Sequence, residues 1–455
     1  MTTEFTRREF LRSTSVAGLG VSLAGLPRLG HTLSNSKIRV LAIGFGRIGV
    51  RDRTQVASHS MVEIAGLCDI DQILLDEASA EFPDAFTCTD YRVAFTDYVD
   101  KFDAVIVSTP DHSHASIMLT ALANDKHVYG QKPLVHQLDE IGLIERAVQA
   151  KPDLVTQVGN QRMVYPGRRA AVEILRSGVL GKAISAHVWT SSPVGEFYFN
   201  SAHVLGAPSK PPPNIDFDLW LGPCEERPYR DHLLPRVWRS WWDFGSGGLG
   251  DWGVHLLDVI FFSYDELTSA IAVKTHATAP SDTFHTHPSQ STITFSVDSE
   301  NFVNRHFPIY YNDRAQAPSR ASLGLTGDTW ADTNMTVVVC EGGVLSLTPE
   351  GELEIWREGR MTPGLEMPGL PEFPALNHWH AWIDNINGLD TELRTPFADG
   401  ARITEAALLA VKATRFPGQE LLWDKASLSF TNHEEATNTI VGRDYREGFA
   451  PPLVG

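Results

Sequence analysis

The sequence has few cysteines, an excess of acidic residues and no long uninterrupted hydrophobic run. Thirty-eight lysines and arginines against 56 acidic residues give a formal net charge of -18, which argues against the basic surface that nucleic-acid binding requires. No apolar run is long enough to cross a bilayer as a helix. The four cysteines lack the spacing of a metal site or a redox pair, so we expect free thiols. They are Cys68, Cys88, Cys224 and Cys340.

The N-terminus carries an arginine pair followed by a weakly apolar stretch. Thr6-Arg7-Arg8-Glu9-Phe10-Leu11-Arg12 precedes Ser13 to Leu26, which is rich in Ala, Gly, Ser and Leu. This order is similar to a twin-arginine signal, and a basic tail with a chance arginine pair is the alternative. We therefore predict a signal and linker over residues 1–36 and export to the periplasm by the twin-arginine machinery.

Short β-rich runs alternate with amphipathic segments over residues 37–155. Apolar runs such as Ile38 to Ile43, Val62 to Cys68 and Phe102 to Ser108 are separated by segments with helical spacing, such as Ile48 to Ser58. Strand-helix alternation of this kind predicts an α/β Rossmann domain built on a doubly wound parallel sheet.

The residue pattern differs over the second predicted domain, residues 156–455. β-like runs such as Ala183 to Thr190 and Ser291 to Val297 become common, which predicts an α+β domain with a large, mostly antiparallel open sheet. The Pro- and Trp-rich stretch Pro208 to Gly250 is too long for a linker, and we place it around the ligand cleft. Helical spacing returns over Asn377 to Phe416, which predicts C-terminal packing helices.

A glycine motif marks the cofactor site, because Gly44-Phe45-Gly46-Arg47-Ile48-Gly49 directly follows the first strand. In this setting the glycines permit a tight turn and a close approach of the backbone to a pyrophosphate. Asp69 lies twenty residues beyond Gly49, where a carboxylate binds ribose hydroxyls and repels a 2′-phosphate. The sequence thus predicts NAD in preference to NADP. An ordinary turn residue is the alternative for Asp69, and Asp71 could share its role.

Two further strand ends carry polar groups toward the same crevice. One is Val107-Ser108-Thr109-Pro110-Asp111-His112-Ser113-His114, and the other is His127 to Pro133, which contains Gln131 and Lys132. The paired histidines lack partners with metal-ligand spacing, so no metal is expected. The residues expected to contact the cofactor are Gly44, Phe45, Gly46, Arg47, Ile48, Gly49, Asp69, Ser108, Thr109, Pro110, His114, Gln131 and Lys132.

These motifs together resemble the Gfo/Idh/MocA family, named for glucose–fructose oxidoreductase, inositol dehydrogenase and MocA. Gln131-Lys132-Pro133 is similar to the family's usual Glu-Lys-Pro, with Gln131 as a departure. Trp220-Leu221-Gly222-Pro223 and the segment from Gly247 to Asp258 extend the resemblance, the latter through the family's Asp-x-x-x-His helix. Asp251 and His255 are four residues apart and share one helix face, although a capping Asp and a core His would show the same spacing.

The resemblance implies hydride transfer between nicotinamide and a hydroxyl-bearing carbon of a sugar, polyol or glycoside. His255 would act as general base, Lys132 would stabilise the developing oxyanion, and Asp251 would orient the base or substrate. Flanking aromatic and basic residues are candidates for holding the substrate, with core packing as the alternative. They are Arg162, Tyr165, Trp241 and Trp252, together with Trp238, Arg239 and Trp242.

Two other functions remain open, and the resemblance also bears on assembly. Export in the folded state implies that NAD is loaded first and bound tightly. A redox-neutral NAD-dependent glycoside hydrolase or lyase is one alternative, although the Asp251 to His255 segment does not resemble the Tyr- and His-containing pattern of such relatives. A non-catalytic NAD-binding protein is the other. By analogy with the family, the open sheet predicts a homodimer or homotetramer.

Overall fold

A computed structural model describes most of the chain from Ser36 to Val454. The residues inside this span that it leaves undescribed are 191–205, 232, 235–236, 277–284, 287–289, 314–316, 390 and 393–394. The predicted export segment over residues 6–26 lies outside the described residues. Within the part that is described, no helix has both the length and the apolar character needed to span a membrane.

Six parallel strands form the first sheet, in the spatial order β3-β2-β1-β4-β5-β6. Their continuous apolar runs bury both faces under helices, as a doubly wound sheet requires, so the predicted Rossmann architecture is confirmed. The strands are β1 (Ile38–Ile43), β2 (Val62–Cys68), β3 (Phe86–Cys88), β4 (Ala104–Val107), β5 (His127–Gly130) and β6 (Thr156–Val158). The helices are α1 (Arg47–Ala57), α2 (Gln72–Glu81), α3 (Tyr91–Asp97), α4 (His114–Ala123) and α5 (Leu138–Ala150).

The parallel sheet continues beyond the boundary predicted at residue 155. Thr156 pairs with Val128 of β5 in parallel register, so β6 belongs to the first sheet and the sheet ends at Val158. The boundary differs because three residues carry too little periodicity to distinguish a last parallel strand from the start of the next domain.

Ten strands form the second sheet, in the spatial order β14-β13-β12-β11-β7-β10-β9-β8-β15-β16. The paired strands run antiparallel except for β7 and β10, which confirms a large, mostly antiparallel sheet. The strands are β7 (Ala183–Thr190), β8 (Ala270–Thr275), β9 (Gln290–Ser296), β10 (His306–Asp313), β11 (Met335–Cys340), β12 (Gly343–Leu347), β13 (Leu353–Arg357), β14 (Arg360–Pro363), β15 (Glu420–Asp424) and β16 (Ser429–Phe430).

Among the described residues, six further α-helices follow the first sheet. They are α6 (Pro166–Arg176), α7 (Phe217–Leu221), α8 (Gly247–Ser263), α9 (His378–Ile386), α10 (Phe397–Lys412) and α11 (Glu434–Ile440). Helix α8 packs between α6 and α10 and against the second sheet, and 14 of its 17 residues are buried. It is therefore the central helix of the second domain.

The C-terminal helices join the two domains. Trp382 of α9 is fully buried in the same apolar cluster as Val40 of the first sheet, while α10 contacts both α5 and α8. Segments distant in sequence therefore hold the nucleotide-binding sheet and the central helix α8 in one packed body.

Candidate functional site

The glycine turn after β1 has the geometry that a dinucleotide requires. Gly44 has φ +89°, and a Cβ there would lie 2.7 Å from the Ser108 carbonyl oxygen. A Cβ on Gly49 would lie 2.0 Å from the Gly44 oxygen, whereas one on Gly46 would meet nothing within 4 Å. Gly46 opens α1, and no side chain caps this helix. The open space and the uncapped N-terminus suit a pyrophosphate.

Asp69 lies where the sequence predicts and braces this turn. Its Oδ2 accepts a hydrogen bond from the Phe45 N–H at 2.5 Å, and its Oδ1 accepts one from the Asp71 N–H at 2.9 Å. Burial raises the pKa of Asp69 to about 6, against the opposing effect of these N–H donors. The Phe45 ring is buried, so Phe45 offers the crevice its backbone, while Arg47 is exposed and Ile48 half-buried.

The loop after β4 contains two hydroxyl groups in different situations. That of Ser108 is hydrogen-bonded within the protein, whereas that of Thr109 has no partner among the described residues. Ser108 Oγ donates to Asp52, while Thr109 Oγ1 is buried without a hydrogen-bond partner among the described residues, which fits a site for a polar ligand. Pro110 follows, half-buried. His114 is fully buried, with its ring nitrogens 2.8 Å from the Pro133 oxygen and 2.9 Å from the Thr109 oxygen. The His114 ring thus joins the two loops.

His112 is likewise held by backbone. Its Nε2 lies 2.8 Å from the Trp220 oxygen and its Nδ1 lies 3.4 Å from the Phe244 oxygen. Burial lowers its pKa to about 3. Among the described residues no three His, Cys, Asp or Glu side chains cluster in a way that could hold a metal ion.

Lys132 and Asp251 form an ion pair across the domain boundary. Lys132 follows β5 and Gln131, and its Nζ contacts Asp251 Oδ1 on the first turns of α8. The Arg239 Nε lies 3.8 Å from the same carboxylate oxygen. The lysine and aspartate side chains are 13% and 19% exposed, so the pair is accessible to a small molecule yet screened less than a surface pair.

His255 lies one helical turn beyond Asp251, and its hydrogen bond to Asn160 assigns its tautomer. The Asn160 amide nitrogen donates to the Val254 oxygen at 2.9 Å and to Asp258 Oδ2 at 3.1 Å. Its Oδ1 therefore faces His255 Nδ1, at 2.5 Å, and must accept a proton from it. Neutral His255 then carries its lone pair on Nε2.

The electrostatic surroundings of His255 favour this neutral form. Burial lowers its pKa well below 6.5, and the positive charges of Lys132 and Arg162 lower it further, against the opposing effect of Asp251. A buried, neutral imidazole with an oriented lone pair has the chemistry of a general base.

Three residues that the sequence analysis did not assign support His255. Arg168 and Asp258 form an ion pair with both side chains fully buried, and Arg168 also donates to the His255 backbone oxygen at 2.6 Å. Asn160 links this pair to the imidazole. Asn160 follows β6 at the same sheet edge as Ser108 and Lys132, and Asp258 is one turn beyond His255, so these positions were available signals.

Asp111 attaches the start of α8 to the first domain. Its Oδ2 accepts hydrogen bonds from the Ser246 N–H at 3.2 Å and from Ser246 Oγ at 2.9 Å. Burial raises the pKa of Asp111. The helix that carries Asp251 and His255 is thus held to the loop after β4.

Among the predicted substrate residues, Arg162 and Trp252 lie beside His255. The Arg162 guanidinium is 5.4 Å from the Trp252 ring centre and pairs with Glu350, while the Trp252 and His255 rings are 6.3 Å apart. Tyr165 opens α6, half-buried and one turn beyond Arg162.

Trp241 lies in a different environment. Only 2% of its surface is exposed, and its ring packs against that of His285, with the ring centres 4.4 Å apart and the planes tilted by 35°. It lines a cavity of about 940 Å³ together with Trp242 and Arg415. The described lining of this cavity does not include Lys132, Asp251 or His255.

Fold and site together define a two-domain NAD-binding oxidoreductase. Residues 38–159 match the NAD-binding Rossmann fold of the Gfo/Idh/MocA oxidoreductases, and residues 168–298 match the C-terminal alpha/beta domain of the same family. The chain belongs to the Gfo/Idh/MocA oxidoreductase family.

Curated relatives match over part of their length. An inositol 2-dehydrogenase of Arthrobacter sp. (strain FB24) is 29% identical over 152 residues, covering 33% of this chain and 44% of that protein. A glycosyl hydrolase family 109 protein of Shewanella woodyi is 28% identical over 176 residues, covering 36% of each chain. The chain therefore spans less than half the length of these two relatives.

A solved structure extends the likeness in fold. The inositol dehydrogenase homologue of Azotobacter vinelandii, determined with NADH and myo-inositol, has a TM-score of 0.57. At 16% identity the match covers 86% of this chain and 99% of that one.

Proposed function

We propose that the protein transfers hydride between the hydroxyl-bearing carbon of a sugar, polyol or glycoside and a tightly bound NAD. The hydrogen bond from His255 Nδ1 to Asn160 is the observation that carries the proposal, because it leaves Nε2 free to accept a proton. The names of relatives such as inositol 2-dehydrogenase support a polyol substrate.

Each candidate catalytic side chain then has a distinct role. NAD supplies the hydride acceptor at its nicotinamide carbon. His255 Nε2 takes the proton of the substrate hydroxyl, and the Lys132 ammonium donates a hydrogen bond to the oxygen that becomes the carbonyl. Asp251 holds Lys132 in place through their ion pair. Arg162 and Trp252 bind the remainder of the substrate, and the arginine there favours hydroxyl-rich or acidic sugars.

The first experiment has two parts. Acid releases the bound nucleotide from one sample of purified protein, so that it can be identified and counted. Sugars, inositols and glycosides are added to a second, untreated sample while the absorbance of reduced nicotinamide is followed. We expect one NAD per chain and reduction by at least one of these compounds. Protein that purifies empty and binds NAD weakly would refute tight binding, and bound NAD that no sugar reduces would favour a non-catalytic role.

A redox-neutral glycosidase is a second candidate, supported by relatives named glycosyl hydrolase family 109 proteins. There, transient oxidation of a sugar hydroxyl acidifies the neighbouring C–H, so the aglycone leaves by elimination; water then adds and the hydride returns. Release of aglycone from aryl glycosides without net NADH would support this function, and net NADH without cleavage would support the dehydrogenase.

Asp69 is proposed to make the site selective for NAD. Replacing Asp69 with alanine removes the acceptor for ribose hydroxyls and the charge that repels a 2′-phosphate. We expect affinity for NAD to fall and affinity for NADP to rise, measured by titration of apoprotein and compared with wild type. An unchanged NAD-to-NADP ratio would assign selectivity elsewhere.

We also propose that the protein is exported and assembles as a homodimer or homotetramer. The arginine pair supports export, which fractionation of cells carrying the wild-type leader or an Arg7→Lys/Arg8→Lys leader would test. On β10, Tyr310 is 38% exposed and stacks on His187 of β7, so the outer sheet face offers two stacked aromatic rings to a second copy. Light scattering of the purified protein would contradict assembly if it gave a monomer mass.

A further inference from the structure

Asp52 is a buried carboxylate that contacts the loops after β4 and β5. It lies on α1, is 1% exposed, and accepts three hydrogen bonds from different elements. Ser108 Oγ and Gln131 Nε2 each donate to its Oδ2 at 2.8 Å, and Trp379 Nε1 donates to its Oδ1 at 2.9 Å. One carboxylate thus joins the loop after β4, the loop after β5 and helix α9.

The Gln131 side chain has little freedom in this arrangement. A Cβ on Gly159 would lie 2.4 Å from Gln131 Nε2, so the backbone directly after β6 closes one side of the amide while Asp52 holds the other. The Gln131 N–H also donates to the Val107 oxygen at 2.8 Å. The residue directly before Lys132 is therefore fixed through both its backbone and its side chain.

We propose that Asp52 and Gln131 are a matched pair that positions Lys132. The carboxylate of this pair is on α1, and the amide of Gln131 is its hydrogen-bond donor. Asp52 is a positioning residue that acts on Lys132 through Gln131. The inference deepens the proposed function, since it assigns what sets the lysine for its role.

The charges of the side chains explain why the residues at positions 52 and 131 must be matched. A glutamate at position 131 would place a carboxylate oxygen about 2.8 Å from Asp52 Oδ2, where Gln131 Nε2 now lies. Two carboxylates at that distance cannot both ionise, so one takes up a proton or moves away. Either response displaces the turn that leads into Lys132.

The test is a double-mutant cycle of Gln131→Glu, Asp52→Asn and the two combined. In the combined variant the new amide at 52 donates to the new carboxylate at 131 and still accepts from Trp379, so the pair is rebuilt with its roles exchanged. We expect Gln131→Glu to lower kcat about tenfold or more with little change in the KM of the sugar, and the combined variant to recover to within about threefold of wild type.

Trp379→Phe is the matched control, because it removes a donor to the same carboxylate without touching Gln131. We expect a lower midpoint of thermal unfolding with kcat within about threefold of wild type. A loss of kcat equal to that of Gln131→Glu would show that the loss does not depend on the match between Asp52 and Gln131, which overturns the proposed pairing.

Thermal unfolding of the same variants tests the pairing of Asp52 with Gln131 without a substrate. If the wild-type protein oxidises no sugar, that result counts against the proposed function, while the unfolding data still test the pairing. We expect a combined variant more stable than Gln131→Glu. The pairing is overturned if the two single variants act independently in the combined variant. In that case the shifts of the unfolding midpoint add and the fold-changes of kcat multiply. If Gln131→Glu does not fold, recovery of folded protein in the combined variant supports it, and failure of both overturns it.

Discussion

Replacing His255 with alanine is expected to lower kcat by about 10²- to 10⁴-fold, the usual contribution of a positioned general base. The imidazole is only 6% exposed and is oriented by Asn160, so its removal takes away a base that the protein holds in one orientation. We expect the content of bound NAD to be unchanged, because the glycine turn and Asp69 lie on other elements. Single-turnover reduction of the bound nicotinamide, followed by absorbance, measures the loss directly.

The pH dependence of kcat provides an independent measurement. Because burial and the charges of Lys132 and Arg162 lower the pKa of His255 well below 6.5, the neutral base persists as the pH falls. The acid-side loss of kcat from its protonation is therefore expected below pH 6.5. Arg162→Met removes one of the positive charges that lower the pKa of His255. We expect that variant to shift the acid limb to higher pH.

Two results would contradict this assignment. One is a His255→Ala variant with kcat within about threefold of wild type, far less than the loss of a general base produces. The other is an acid limb that does not move in Arg162→Met, which would mean that the ionising group is not influenced by the charge of Arg162.

The first half of the fold was predictable because its signals are local. The strands Ile38–Ile43 and Val62–Cys68 begin and end at the residues that the apolar runs indicate, and helix Arg47–Ala57 differs from the predicted segment by one residue at each end. The glycine motif fixes the turn between them through its own backbone geometry. Local chemistry of this kind leaves few competing structures.

In the second domain β7 also matches its predicted run, Ala183 to Thr190, but the place of β10 depended on contacts that no local pattern encodes. Strand β10 contains Pro308, which argues against a strand by its missing N–H, yet Pro308 pairs with Thr294 while the parallel pairing to β7 begins one residue later at Ile309. The tertiary sheet therefore overrides a local signal.

In the candidate site, too, the features that depend on spacing along the chain were predictable, and those that depend on contacts between distant residues were not. The i, i+4 spacing of Asp251 and His255 predicts their common helix face, and Lys132 was identified by its place at a strand end together with the resemblance of Gln131-Lys132-Pro133 to Glu-Lys-Pro. The place of Asn160 after β6 was a signal, but its role was not, because that role follows from a hydrogen bond to a histidine 95 residues away. The backbone contacts of His114 were equally hidden, since nothing in the motif distinguishes a ring that joins two loops from one that faces a ligand.

Replacing Arg168 with methionine is expected to lower the free energy of unfolding by about 3–5 kcal/mol, the usual effect of removing one partner from a buried ion pair. Both side chains of the Arg168 and Asp258 pair are fully buried, so the remaining carboxylate would keep its desolvation cost without the compensating charge. Urea titration of purified protein at pH 7 measures the difference. Asp258→Asn combined with Arg168→Met is the matched control, and we expect it to be more stable than Arg168→Met alone because no buried charge is left.

The same variant makes a prediction about pH whose sign follows from linkage. Burial raises the pKa of Asp258 and Arg168 is the largest influence that lowers it, so removing the arginine raises that pKa further above its unfolded value. The native state of Arg168→Met then binds a proton that the unfolded chain has released, and its stability increases as the pH falls. The difference in free energy of unfolding between wild type and Arg168→Met is therefore expected to be smaller at pH 5 than at pH 7. An equal deficit at both values would mean that lost packing, and not the unpaired charge of Asp258, accounts for the destabilisation.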